Sequence, residues 1–120
     1  MQRKSPKWLE DIRASAVFIL HATDGKNREQ YTSDPVLRAA VERHFEIIGE
    51  AMNRLASHDP DTAKRIGNYP RIIAFRNVLI HGYDLVDQEE VWTVIRDYVP
   101  ALRAQVESLL RELEEKPPLS

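Results

Sequence analysis

Arg76 through Asp84 reads RNVLIHGYD and gathers an arginine, an asparagine, a histidine and a tyrosine into eight positions. A guanidinium is a planar, permanently charged clamp for phosphate. A histidine exchanges protons near neutral pH. Together they suit phosphoryl chemistry on a nucleic acid backbone, with His81 moving protons and Arg76 holding the anionic phosphate. Asn77 and His81 are four residues apart and fall on one helix face, one turn from each other. Arg76 and Tyr83, seven apart, align only if the helix continues. Arg76 and His81 are separated by roughly 140° on an ideal helix. They can meet on one ligand only through the reach of the arginine, a change of backbone at Gly82, or a second subunit. The same residues also fit an ordinary helix end, with His, Asn and Gly capping it and Tyr83 packed over the turn. Composition and spacing leave both readings open.

The elements that must hold these residues are all helical. Ser5-Pro6 is a start signal, with Ser5 as cap, and Leu9, Ile12, Ala16, Ile19 and Leu20 recur at helical spacing, which predicts a first helix over about 6–23. Asp24-Gly25-Lys26-Asn27 breaks it. Asp34-Pro35 opens a second helix running to about Ser57, with one apolar stripe from Leu37 to Leu55. Asp59-Pro60 opens a short turn closed by Gly67. Pro70 starts a third helix that is apolar almost all round, so it is expected to be the most buried element and to end at Gly82 in a left-handed conformation. Asp87 to Glu90 has the capping-box pattern and starts a fourth helix of about 26 residues, kinked at Pro100. Short connections between four helices predict an all-α, antiparallel four-helix bundle with a short extra helical turn. The chain is expected to form one domain over 1–115 with a frayed tail over 116–120.

Length and charge narrow the function classes. At 120 residues the chain can bury a core while leaving surface for a partner subunit. A net charge of -2 gives no global attraction for nucleic acid, so an RNA contact would need a local basic patch. Lys64, Arg65 and Arg71 flank the start of the third helix and fit either a modest basic rim or, more often, scattered surface charge. No apolar run approaches a membrane span, and the absence of cysteine fits a cytoplasmic protein. The four histidines show no metal-ligand spacing, and no Gly-rich phosphate loop or cofactor motif is present.

Other residues have plain structural readings. Gly49 lies mid-helix, where glycine costs about 1 kcal/mol against alanine, so a close helix approach is expected there. Glu46 and Glu50 sit one turn apart beside Arg43 and Arg54, the pattern of a solvated ion-pair face. His44 falls on the apolar stripe as a hydrogen-bonded core or interface residue. Trp8 and Trp92 begin their helices and pack at the bundle end.

The segment Arg76–Asp84 resembles the R-x4-H-x-Y signature of the HepT-like branch of the HEPN superfamily, small all-helical domains that include ribonucleases and toxins. Phe45-Glu46-Ile47-Ile48-Gly49-Glu50-Ala51 resembles the IIGEA stretch of that branch's second helix. Helix order and chain length agree, so the resemblance spans nearly the whole chain. It implies a homodimeric toxin of a toxin–antitoxin system that cleaves RNA without metal or cofactor. By the same resemblance Arg76 and His81 are the catalytic pair and Asn77 shapes the site. The resemblance also implies that Tyr83 is the residue a partner nucleotidyltransferase antitoxin modifies with AMP. The alternative is a non-catalytic helical subunit that docks the nucleotidyltransferase and serves as its substrate.

Overall fold

The structure is a computed structural model and describes residues 1–115, the side chains of Tyr83 and Glu115 excepted; the tail expected over 116–120 lies outside the described residues. Seven helices and one 3-10 turn follow one another among the described residues: α1 (Ser5–Thr23), α2 (Arg28–Thr32), α3 (Pro35–His58), α4 (Pro60–Ala63), α5 (Tyr69–His81), the turn Tyr83–Leu85, α6 (Gln88–Asp97) and α7 (Val99–Glu115). No strand occurs among them, so the all-α bundle expected from periodicity is the observed fold.

α1 packs along α3 and α7, and α5 returns along α3. α1 and α3 run antiparallel: Trp8 meets His58 at one end, and Phe18 stacks on His44 at the other. Leu9, Ile12, Ile19, Phe45, Ile48, Met52, Leu55, Leu102 and Val106 fill the space between them and are all buried. Burial of this kind contributes about 25 cal/mol per Å² of apolar surface, so these three long helices form the stable frame.

The start of α1 differs from its sequence signal. Lys4 stands at the cap position and Ser5 is the first helical residue. Ser5 Oγ instead donates to Asp59 Oδ2 at 2.7 Å, and the Gln2 amide donates to the same oxygen at 3.0 Å. Asp59 also caps α4 by accepting from the amide and hydroxyl of Thr62. One buried carboxylate therefore ties the beginning of the chain to the α3–α4 corner.

Helix α2 is short and has no apolar periodicity to announce it. It exists through a reciprocal cap: Asn27 Oδ1 accepts from the Gln30 amide, and Gln30 Oε1 accepts from the Asn27 amide. It delivers Tyr31 to the core, where the hydroxyl donates to Gln88 Oε1 at 3.1 Å. Gln88 in turn donates to Glu42 Oε2 at 2.7 Å, fastening the start of α6 to α3.

The predicted fourth helix is two helices, broken at Tyr98 (φ -110°, ψ -44°). Pro100 has no N–H for the Arg96 carbonyl, so the helical hydrogen-bond ladder is interrupted here and α7 starts anew at Val99. The break also serves a contact. Tyr98 Oη donates to the Gly67 carbonyl at 2.8 Å, and Gln105 Oε1 accepts from the Gly67 amide at 3.0 Å. Asn68 follows in the left-handed region at φ 60°, a conformation asparagine tolerates, and launches α5.

α5 departs from expectation in its burial. Only Ile72 and Leu79 are fully buried, whereas Val78 and Ile80 are about two-fifths exposed, at 41% and 39%. Its principal neighbour is α3; between α5 and α6 lies an open groove of about 510 Å³ walled by Ile72, Phe75, Val78, Val94 and Tyr98. An apolar helix is buried only where neighbours cover it, and this chain covers one side of α5.

Candidate functional site

α5 positions the RNVLIHGYD residues, and Gly49 of α3 decides how closely. A Cβ placed on Gly49 would lie 2.2 Å from Arg76 Cβ, 2.7 Å from Arg76 Cγ and 3.3 Å from the Ile72 carbonyl. The expected close helix approach is thus present, and the residue across from the glycine is Arg76. Phe45 and Phe75 meet edge-to-face beside this crossing, with centroids 5.1 Å apart.

From that root the Arg76 side chain lies back over α3. Its Nη2 donates to Glu50 Oε2 at 2.9 Å and its Nη1 to Asn77 Oδ1 at 3.0 Å. Nε is enclosed and has no partner. Glu50 uses its other oxygen on Arg54, accepting from Nε at 3.0 Å. The anticipated ion-pair face therefore exists, with Arg43 3.5 Å from Glu46 and Arg54 on Glu50, but its second carboxylate also reaches the site. Sequence reasoning missed this role of Glu50. The available signal was the adjacency of Glu50 to a mid-helix glycine: where two backbones approach that closely, the next side chain on the glycine's helix borders whatever the glycine admits.

Magnitudes show that this cluster is a poor stabiliser. Half-exposed ion pairs contribute about 0–1 kcal/mol. Mid-helix glycine costs about 1 kcal/mol, and an enclosed donor without a partner about 1–3 kcal/mol. Such a balance is found where side-chain orientation, rather than stability, is the property served.

The guanidinium borders a groove of about 430 Å³ between α1, α3 and α5, floored by Trp8, Ile47, Ala51 and Ile80 and rimmed by charged residues including Lys7, Arg43 and Arg54. These cations are matched by carboxylates, with Lys7 2.9 Å from Asp11, but Arg54 and Arg76 share the single Glu50. The groove has the local excess of positive charge that an anion requires, in a chain of net charge -2. The anticipated basic rim is differently disposed: Arg65 pairs with Glu112 on α7, and Arg71 borders the α5–α6 groove.

His81 is the last residue of α5 and is exposed. Because α5 stays helical through His81, the angular separation from Arg76 persists. Among the described residues no hydrogen bond joins the two. Gly82 is not left-handed, at φ -128° and ψ 41°. Its amide continues the helical pattern to the Val78 carbonyl at 2.9 Å, and the chain passes straight into the 3-10 turn, closed by the Leu85 amide on the Gly82 carbonyl at 2.8 Å. The turn supplies the stop that a left-handed residue was expected to supply. Tyr83 opens that turn; its side chain lies outside what is described. The structure therefore joins Arg76 to Asn77 and leaves His81 on a different face.

Among the described residues no group of three or more His, Asp and Glu could hold a metal ion. Nor is any helix among them long and apolar enough to cross a membrane.

Comparison with known proteins bears directly on this helix. A family model described as ribonuclease HepT-like matches residues 12–109, a span that contains both the Gly49–Arg76 crossing and His81. The chain belongs to the HepT-like ribonuclease family. A Caldanaerobacter subterraneus protein named "Putative RNase" is similar to this HepT-like chain at 32% identity, over 91% of the chain and 97% of the relative. A Thermococcus cleftensis protein named "Probable ribonuclease HepT" is also 32% identical, over 91% of the chain and 98% of the relative. A Methanocaldococcus jannaschii "Putative RNase" is 30% identical over 88% and 96% respectively. No solved structure gives a significant match to the HepT-like chain.

Proposed function

We propose that the chain is the toxin of a toxin–antitoxin pair, an endoribonuclease that cleaves RNA with Arg76 and His81 and needs no metal. The observation that supports this reading is the match to the ribonuclease HepT-like family over residues 12–109, a span that includes Arg76 and His81. In the reaction, the RNA 2′-hydroxyl attacks the neighbouring phosphorus and the bond to the 5′-oxygen breaks. His81 takes the proton from the hydroxyl or gives one to the leaving oxygen. Arg76 holds the phosphate as charge builds on it, with Asn77 Oδ1 steadying Nη1 at 3.0 Å.

One chain presents Arg76 and His81 on different faces of α5, so the working enzyme is a homodimer in which two chains share a cleft. The apolar wall of the α5–α6 groove, where Val78 is 41% exposed, supports this because a second copy would cover it. The cognate antitoxin is a nucleotidyltransferase that transfers AMP to Tyr83, two residues after the catalytic histidine.

The test compares RNA degradation and growth arrest by the wild type, His81→Ala and Arg76→Ala, all shown to be folded. Loss of both activities in the variants is expected. A folded His81→Ala protein that is fully active would overturn the assignment. Unmodified wild type that cleaves no RNA but accepts AMP on Tyr83 would favour a docking subunit instead.

A further inference from the structure

Glu50 belongs to the IIGEA-like stretch, but neither that resemblance nor an ion-pair count gives it a role. An arginine side chain carries five N–H donors. In Arg76, one goes to Glu50 Oε2 at 2.9 Å, one goes to Asn77 Oδ1 at 3.0 Å, and Nε–H is enclosed without a partner. Two remain, one on each terminal nitrogen, which is the number a bidentate phosphate clamp uses.

The way Glu50 binds is as informative as the fact that it does. Nε and Nη2 share one edge of the guanidinium, the edge that a bidentate carboxylate frequently takes. Glu50 takes Nη2 alone and gives its other oxygen to Arg54 Nε at 3.0 Å. Arg54 therefore biases the rotation of the carboxylate, and the carboxylate orients the outer end of Arg76. Gly49, one residue earlier, fixes the root, where its missing Cβ makes room for Arg76 Cβ and Cγ. A long side chain is thus held at both ends by consecutive residues of a different helix.

We propose that Glu50, backed by Arg54, is the positioning residue of the catalytic arginine: it orients Arg76 so that the two free N–H groups face the scissile phosphate. The kinetic consequence rests on the ribonuclease reading above, whereas the geometric one does not. Glu50 itself touches no substrate. Its loss lets the guanidinium turn, which lowers the rate of the bound complex more than it weakens binding, since small misplacements of a charge-stabilising group are expensive in rate.

The test uses full-length Glu50→Ala, Glu50→Gln and Arg54→Ala proteins. Each is assayed for kcat and KM on RNA, for thermal midpoint, and for solvent exchange of the Arg76 Nε–H proton by NMR. Glu50→Ala is expected to lower kcat by about tenfold or more, with KM within about threefold and the fold intact. Glu50→Gln keeps an acceptor oxygen and is expected to recover most of the rate. Arg54→Ala falls between them. In Glu50→Ala the Arg76 Nε–H proton is expected to exchange as fast as those of exposed arginines. An unchanged kcat in Glu50→Ala, a Gln variant no better than Ala, or a rate loss that tracks unfolding overturns the proposal. Should wild type cleave no RNA, the ribonuclease reading fails and the exchange measurement decides alone. Loss of protection in Glu50→Ala then sustains the positioning role, and unchanged protection rejects it.

Discussion

Gly49 and Arg76 occupy one another's space: the hydrogen on the glycine is where any other residue would place an atom 2.2 Å from Arg76 Cβ. Neither atom of that contact can swing away, because both are bonded to helical backbone. Gly49→Ala must therefore push α5 off α3. Overpacking costs about 1–3 kcal/mol, and the better helix propensity of alanine returns at most about 1 kcal/mol. Urea denaturation is expected to show a net loss of about 1–2 kcal/mol, with RNA cleavage falling by more than the folded fraction does.

Asp59 sets the acid limit of the fold. Burial pushes its carboxyl upward, but the hydrogen bonds from Thr62, Gln2 and Ser5 outweigh this and hold it well below the usual carboxylate range. A depressed acid contributes stability that is fully present above the unfolded-state value of about 3.9 and is lost as pH falls toward the folded-state value. Stability of the wild type is thus expected to drop steeply below about pH 4. Asp59→Asn is expected to be less stable at pH 7 by about 2 kcal/mol, from a weakened cap and poorly matched buried hydroxyls. Its acid limb should be shallower, as circular dichroism against pH would record.

His44 acts in the same direction at higher pH. Burial, and then the nearby Arg43 charge, lower its pKa, and its Nδ1 lies 3.0 Å from Ser15 Oγ while the ring stacks on Phe18. The folded state binds that proton less readily than the unfolded chain, so stability is present above about 6.5 and declines as pH falls below it. His44→Gln is expected to lose some stability from the broken stack yet to show a flatter profile between pH 7 and 5. A profile as steep as the wild type's would assign the dependence to another group.

Val78 reports on assembly. It is 41% exposed, so Val78→Asp leaves the core of one chain intact. Sedimentation is expected to show the wild type as a dimer and the variant shifted toward monomer, with RNA cleavage reduced in parallel. A dimer that persists unchanged would place the interface elsewhere.

The legible parts of this protein were those encoded by contiguous residues. The sequence pattern located α1, α3 and α5 to within a residue or two, because each has a proline near its start and an apolar body, striped in α1 and α3 and nearly all round in α5. α2 has neither; its identity rests on two side chains reaching back to two amides, a local pattern too short for periodicity to detect. The break at Tyr98 was read as a kink because Pro100 announces a missing hydrogen bond without announcing the Gly67 carbonyl that rewards the tyrosine for leaving the helix. The burial of α5 was overestimated because an apolar sequence does not say which molecule covers it. In the site, the motif named Arg76, Asn77 and His81, and the glycine announced a close approach. Which residue of α3 would hold the arginine depends on the rotation of one helix against another, and sequence spacing along either helix does not contain it.

The opposed directions of Arg76 and His81 on α5 have a genetic consequence. If the shared cleft pairs the arginine of one chain with the histidine of the other, the two defects are separable. Arg76→Ala and His81→Ala proteins, each inactive alone, are expected to regain activity when mixed subunits pair. Such a dimer holds one arginine–histidine pair with both groups intact and one with neither. Complementation between two dead alleles, reaching about half the wild-type rate per mixed dimer, is the behaviour of a shared site.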